Sequence, residues 1–248
     1  MAPIRAYHRP ETIEDALALV AHTDVDATIL AGGTVINGLP EDDPIDVVDL
    51  QALGLDQLEP DGDRLRIGAM VRLSDLAEND LVPALLRDLA RREAPNTLRN
   101  AATVGGTVVA ADAESELVAG LLAFEATVAI VHSIGSESIP LDELLVDRSR
   151  LGLGIITGIT VDVGGDAAAE RTGRTPADRP IVMVVGRRAE DGTIRLALTG
   201  VDTTPVLVDI GDLAGLQPPA DFRGSAEYRR ELARVLTARV MARLGEAP

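Results

Sequence analysis

Leu98-Arg99-Asn100-Ala101-Ala102-Thr103-Val104-Gly105-Gly106-Thr107 carries the second of two Gly-Gly-Thr segments in this chain. The first stands earlier, in Leu30-Ala31-Gly32-Gly33-Thr34. Each pair reads as a turn after an extended stretch. Adjacent glycines permit positive φ and close backbone approach, so successive N–H groups can converge on an oxyanion. The hydroxyls of Thr34, Thr103 and Thr107 would add donors. Taken singly, each pair is equally well a tight turn at a strand end. Neither fits the Rossmann fingerprint G-x-G-x-x-G, and a Walker A loop is ruled out because it requires Lys.

The rest of the composition narrows what such loops could hold. The chain has 248 residues, enough for one large domain or two modest ones, and a formal net charge of −17. Such a charge repels a phosphate backbone, and with two Phe, two Tyr and no Trp there are few stacking platforms, so nucleic-acid binding is not expected. A diphosphate would have to be held by local N–H dipoles against the overall field. All 23 basic residues are Arg, which excludes Schiff-base chemistry through lysine. Cys is absent, which excludes disulfides, thiolate-held iron–sulfur clusters and a cysteinyl–flavin link on this chain. There is no apolar signal region at Met1-Ala2-Pro3-Ile4-Arg5 and no membrane-length apolar run, so a cytoplasmic location is expected.

Outward from the glycine pairs, the pattern is mixed. Thr12 with Asp15 resembles a capping box ahead of Ile13, Ala16, Leu17 and Val20 at helical spacing. Ala27–Leu30 and Asp46–Asp49 read as short strands, giving a parallel βαβ start. Arg64–Ile67 alternates as a half-buried strand does. Ser74 is expected to cap a short helix, and Leu81–Ala94 to form a longer one, closed by Pro95, with Arg87, Arg91 and Arg92 outside. Leu117–Leu122 reads as helix, and Ala126–Val131 and Ile155–Val163 as strands. Gly164–Arg179, rich in Gly, Ala, Asp and Arg, reads as a linker and domain boundary. Ile181–Val185 and Thr193–Thr199 then form a hairpin through Asp191-Gly192. Ser225 caps a final helix whose apolar stripe is Leu232, Val235, Leu236, Val240 and Leu244, with Arg229, Arg230, Arg234, Arg239 and Arg243 on other faces.

In order along the chain, these segments resemble the medium, FAD-binding subunit of the molybdenum hydroxylases, the group of xanthine dehydrogenase and aerobic carbon monoxide dehydrogenase. Leu30–Thr34 is similar to the first flavin loop and Leu98–Thr107 to the RN-x-x-T-[IV]-G-G-N loop. Leu65-Arg66-Ile67-Gly68-Ala69 is similar to the L-x-I-G-A strand. Leu198-Thr199-Gly200-Val201 with Thr204-Pro205 is similar to G-G-V…T-P, and Ser225-Ala226-Glu227-Tyr228-Arg229-Arg230 to S-A-E-Y-R-R. The resemblance implies an α+β architecture: a two-part FAD-binding fold of the vanillyl-alcohol-oxidase (PCMH) type over 1–164, with subparts about 1–55 and 56–164. A small C-terminal domain of antiparallel sheet plus helices would follow over 165–248. It implies FAD contacts from Ile29, Leu30, Ala31, Gly32, Gly33, Thr34, Val35 and Ile36, from Thr103, Val104, Gly105, Gly106 and Thr107, and from Glu116 and Ile156. No metal ligand and no catalytic acid or base is implied on this chain. It further implies a small partner subunit with [2Fe–2S] clusters and a large one with the molybdopterin cofactor, assembled as a dimer of heterotrimers. Electrons would pass through the clusters to FAD and on to an external acceptor.

The chain departs from the family pattern at Thr107 (usually Asn), at Glu116 (usually Asp) and in a short acidic segment, Glu41-Asp42-Asp43, where relatives carry a longer one, often with Lys or Arg. These departures keep open a structural or assembly subunit that has lost FAD. A stand-alone flavin oxidase or reductase of the same superfamily and a nucleotide-binding module of unrelated fold are the other readings. The absence of Cys speaks against the 4-hydroxybenzoyl-CoA reductase branch, whose flavin subunit carries an extra cluster. His8, His22 and His132 lack metal-ligand spacing. Asp112 and Glu114 read as a solvated acidic turn.

Overall fold

The computed structural model describes residues 3–21, 27–35, 44–175 and 178–245. The chain opens as β1 (Ile4–His8), α1 (Ile13–Val20), β2 (Ala27–Leu30) and β3 (Ile45–Asp49). The three strands form a parallel sheet in the order β1-β3-β2. Thr12 caps α1: its hydroxyl oxygen accepts the Asp15 N–H at 3.1 Å and its O–H donates to the Asp15 carboxylate at 2.8 Å. The apolar face of α1, Ala16, Leu17 and Val20, packs with Val48, Leu50, Met70 and Ile155.

A five-stranded antiparallel sheet follows, formed by β4 (Leu58–Asp61), β5 (Arg64–Gly68), β6 (Thr127–His132), β7 (Gly135–Pro140) and β8 (Ile155–Asp162) in the order β4-β5-β8-β6-β7. Between β5 and β6 run α2 (Leu73–Glu78), α3 (Ala84–Glu93), α4 (Asn96–Arg99), α5 (Val104–Ala110) and α6 (Glu116–Ala123), and α7 (Leu141–Val146) follows β7. Every residue of α6 is buried. It crosses α3 closely at Gly120, where a Cβ would fall 2.4 Å from Leu89 Cδ1.

The last layer is β9 (Asp166–Thr172), β10 (Val182–Arg188), β11 (Ile194–Thr199) and β12 (Val206–Leu207), an antiparallel sheet in the order β12-β11-β10-β9, followed by α8 (Ala226–Arg243). The two-residue period of β10 serves two cores. Met183 and Val185 join the cluster around α6, while Val182 and Val184 join the one built on Ala233, Leu236 and Val240 of α8.

Several expectations need correction. Ser74 does not cap α2; Arg72 stands at the cap, and the Leu73 N–H is bound instead by the Ala102 carbonyl at 3.0 Å. The helix expected from Leu81 starts at Ala84, because Pro83 precedes it and Asn79 Oδ1 holds the Leu81 N–H in a turn. The second Gly-Gly pair does not follow an extended stretch. It lies inside α5, after α4 and a Thr103 cap. The expected linker is largely β9, paired with β10 from Asp166↔Arg188 to Val182↔Thr172. Its small Ala167, Ala168 and Ala169 pack against the two cores on either side, where a loop composition hides a strand. Asp112 and Glu114 are not simply solvated: they pair with Arg179 and Arg223.

Arg229 faces inward, at 1% exposure. It donates to the carbonyls of Ile181 at 2.8 Å and Gly200 at 2.9 Å and pairs with Asp221 at 2.7 Å, pinning α8 to the sheet ends. Its guanidinium also holds the Asp221 carboxyl below the usual carboxylate range. Arg229→Met would leave two carbonyls unsatisfied while Asp221 rehydrates, so a loss of about 2 kcal/mol is expected in urea unfolding.

Candidate functional site

The two Gly-Gly segments meet. Together with β8 and the loop before it, they enclose a mostly apolar cleft of about 560 Å³, within the usual size range of cofactor sites. Of the residues singled out from sequence, Ile29, Ala31, Gly32, Gly33, Thr34, Val35, Thr103, Gly105, Gly106, Thr107 and Ile156 line it. Leu30, Val104 and Glu116 do not, and Ile36 lies outside the described residues. A second, more polar cavity of about 440 Å³ shares Ala31, Gly32, Met70 and Thr103 with the first, so this loop junction forms a wall between them.

The glycines have different tasks. Gly32 lets the loops touch, since a Cβ there would lie 2.0 Å from the Ala101 carbonyl oxygen. Gly33 has φ +70°, a left-handed conformation that favours glycine. Gly105 lets α5 press on Ala69, whose Cβ and carbonyl oxygen would each lie 2.8 Å from an added Cβ. Gly106 is different: a Cβ there would meet Thr103 Oγ1 at 3.1 Å and then stand 3.9 Å from Ala31 Cβ, in the gap between the loops.

Their amides differ as well. In the second segment the N–H groups are occupied: Val104 donates to Val71 O at 2.9 Å, Gly105 to Ala69 O at 2.8 Å, Gly106 to Thr103 Oγ1 at 3.1 Å and Thr107 to Thr103 O at 2.9 Å. The Thr107 hydroxyl also donates to Thr103 O, at 2.9 Å. In the first segment the N–H groups of Gly32, Gly33, Thr34 and Val35 have no hydrogen-bond partner among the described residues. The free donors therefore belong to the first loop, while the second supplies a smooth wall without a side chain at Gly106.

Glu116 opens α6, and its carboxylate binds Arg92 at 2.9 Å and Arg171 at 3.1 Å, which turns it away from the cleft. It belongs to a run, Asp112-Ala113-Glu114-Ser115-Glu116, in which each acid meets an Arg from the last sheet region: Asp112 with Arg179, Glu114 with Arg223, Glu116 with Arg171.

Sequence reasoning missed three charged groups of the lining: Glu93, Asp112 and Arg179. Asp112 and Arg179 form a half-exposed pair at 3.1 Å. Glu93 is only 8% exposed and accepts the Leu117 N–H at 2.8 Å. Burial pushes its carboxyl up, against the opposing pull of the Leu117 N–H, the Arg179 charge and the Ser115 hydroxyl. The sequence did hold a signal for Glu93: it continues the helical stripe of the buried Leu86, Leu89 and Ala90. Nothing in the sequence marked Arg179. Of the histidines, His8 lies 3.4 Å from Asp46 and His132 3.3 Å from Glu137, while His22 lies outside the described residues. Among the described residues no cluster could hold a metal ion, and no helix is long and apolar enough to cross a membrane.

A family model described as the FAD binding domain in molybdopterin dehydrogenase matches residues 2–161. The chain belongs to this family. It is thus a molybdopterin-dehydrogenase flavin subunit, a component of oxidoreductases of the molybdenum hydroxylase type. The uncharacterised protein YgfM of Escherichia coli K12 is 30% identical over 254 residues, covering 96% of each chain. The alpha subunit of the 6-hydroxypseudooxynicotine dehydrogenase complex of Paenarthrobacter nicotinovorans is 28% identical, covering 94% of this chain and 92% of that one. A solved chain of carbon monoxide dehydrogenase from Hydrogenophaga pseudoflava superimposes with a TM-score of 0.86 at 24% identity, covering 98% and 97% of the two chains. That likeness shows that the α+β fold is shared with this flavin-subunit family.

Proposed function

We propose that this chain binds FAD in the cleft between the two glycine segments and relays electrons within a multi-subunit molybdenum hydroxylase. The observation that carries the reading is the pairing of four amides (Gly32 to Val35, which have no partner among the described residues) with the side-chain-free wall at Gly106 across an apolar cleft of cofactor size. The free N–H groups suit an anionic diphosphate, which lets a chain of net charge −17 hold it without a basic side chain. Ile29, Val35, Leu98, Ile155 and Ile156 exclude water from the planar parts of the ligand. Bound FAD would supply a store for two electrons. The residues proposed to hold it are Ile29, Ala31, Gly32, Gly33, Thr34, Val35, Thr103, Gly105, Gly106, Thr107 and Ile156, which line the cleft.

In this reading residues 1–164 form the flavin domain, with parts 1–55 and 56–164, and 165–248 form the closing C-terminal domain. The electron donors are [2Fe–2S] clusters on a small partner chain, the molybdopterin cofactor sits on a large one, and the assembly is a cytoplasmic dimer of heterotrimers. The relative from the 6-hydroxypseudooxynicotine dehydrogenase complex, named as its alpha subunit, supports membership of a multi-subunit assembly. The test is equilibrium dialysis of the purified full chain against FAD, read by flavin absorbance. One FAD per chain at Kd about 1 µM or below, near −8 kcal/mol, is expected. A chain that stays colourless at saturating FAD, alone and in its native complex, would overturn the reading in favour of a structural subunit.

A further inference from the structure

Within the cleft, ionisable side chains are confined to Glu93, Asp112 and Arg179 among the described lining residues. Asp112 and Arg179 neutralise one another at 3.1 Å and stay half in solvent, so their charge is screened and fixed. Glu93 is unlike them. It is buried at the end of α3, lines the cleft, and has no ion-pair partner within 4.0 Å among the described residues; one carboxylate oxygen accepts the Leu117 N–H at 2.8 Å. A carboxyl so placed has two accessible states, and the local charge decides between them.

We propose that Glu93 is the proton-accepting group of the cleft, taking up one proton from solvent when the bound flavin is reduced and releasing it on reoxidation. The proposal rests on FAD occupying this cleft. Two electrons arrive from one-electron carriers, and the negative charge they bring is felt across a wall of low polarity. The Glu93 carboxylate then forms an O–H bond with a proton from water, becoming a neutral carboxyl. Loss of the two electrons reverses the step: the Glu93 proton returns to water, separately from any proton that the flavin ring itself gains on reduction and gives up on reoxidation.

The groups around Glu93 are consistent with this. From α6 it faces the Leu117 N–H, the Ser115 hydroxyl and the Glu116 carboxylate; from the segment before β10 it faces Arg179. Glu116 is itself held by Arg92 beside Glu93 and by Arg171 of β9, and Asp112 holds Arg179. From α4, Arg99 donates to the carbonyl of the next residue, Ala94, at 2.9 Å. All of these neighbours except the Ser115 hydroxyl and the Leu117 amide are already paired with an opposite charge or a carbonyl. Burial holds the Glu93 carboxyl above the usual carboxylate range, so added negative charge in the cleft falls on a group already biased toward taking a proton.

The experiment is a potentiometric titration of the FAD-loaded full chain across pH, for wild type, Glu93→Gln and Glu93→Asp, with melting curves to check folding. Wild type is expected to show a pH interval in which one extra proton accompanies each electron pair. That is a tenfold change in the redox equilibrium per pH unit, or about 30 mV. Glu93→Gln, which still accepts the Leu117 N–H, loses that interval. Glu93→Asp keeps it at a displaced pH, and decides the matter if the Gln variant does not fold. An unchanged profile in Glu93→Gln, no extra slope in wild type, or an Asp profile without the interval each overturns the proposal while leaving FAD binding intact. A chain that takes up no FAD overturns the binding reading itself, and this one with it.

Discussion

A Gly106→Val chain is expected to fold and yet to lose about 100-fold in FAD affinity. The geometry separates the two effects. A Cβ on Gly106 meets nothing closer than Thr103 Oγ1 at 3.1 Å, and that hydroxyl can yield by a few tenths of an ångström. The cost is a weakened cap on the Gly106 N–H, on the order of 1 kcal/mol. Part of it is recovered because Gly is a poor helix residue at this first turn of α5. Melting should therefore shift by only a few degrees, roughly 2–4 °C per kcal/mol for a chain of this size. The same side chain projects toward Ala31 across the gap through which the proposed diphosphate would reach the amides of Gly32 to Val35. Losing two charge-assisted hydrogen bonds costs about 3 kcal/mol, close to two decades in Kd. Equilibrium dialysis beside a melting curve checks both halves. Unchanged FAD affinity in a folded Gly106→Val chain would remove the cleft as the cofactor site.

The sequence was legible where local chemistry decided structure. Thr12, Asp15 and the stripe of α1 are consecutive or helically spaced, so the cap and the parallel β1-α1-β2 start could be read from them. The hairpin around Asp191-Gly192 and the Ser225 cap were legible for the same reason. Tertiary overrides hid the rest. β9 has a loop's composition and becomes a strand because β10 offers it a partner edge, with Ala167 and Ala169 small enough to pack on the core below. Arg229 has the wrong polarity for a core face, but two stray carbonyls and Asp221 await it there.

In the site, the glycines announced themselves but their division of labour did not. Whether an amide is free depends on what lies opposite it, and only the fold brings Ala69 and Val71 to the second segment. Arg179 and Asp112 come from distant parts of the chain, so no spacing could have joined them. The acidic run from Asp112 to Glu116 is likewise ambiguous as text. In space, Arg179, Arg223 and Arg171 turn it into the seam that fixes the last sheet beside the cleft. Much of the local negative charge is therefore neutralised where the proposed anionic cofactor would approach, despite the net −17.

Gly32→Ala is the converse of the Gly106 case, with fold and cofactor failing together. The added methyl would lie 2.0 Å from the Ala101 carbonyl oxygen, 2.7 Å from its carbon and 2.9 Å from Ala102 Cα, all backbone atoms. No rotamer relieves a backbone clash, so the two segments must separate by roughly an ångström, a tighter constraint than ordinary overpacking in a core. The Leu73 N–H bond to Ala102 O at 3.0 Å and the pairing of Arg72 with Thr103 lie directly behind that contact and move with it. A loss of about 3 kcal/mol is expected, lowering the melting temperature by roughly 6–12 °C, with FAD uptake falling because the donor loop no longer faces its wall. Saturating FAD should restore part of the melting temperature in wild type and little of it in Gly32→Ala, since ligand stabilisation scales with the ratio of ligand concentration to Kd. A Gly32→Ala chain that melts with wild type and binds FAD equally well would mean that the two glycine segments do not meet at Gly32 and Ala101. The shared wall on which the cleft depends would then be absent.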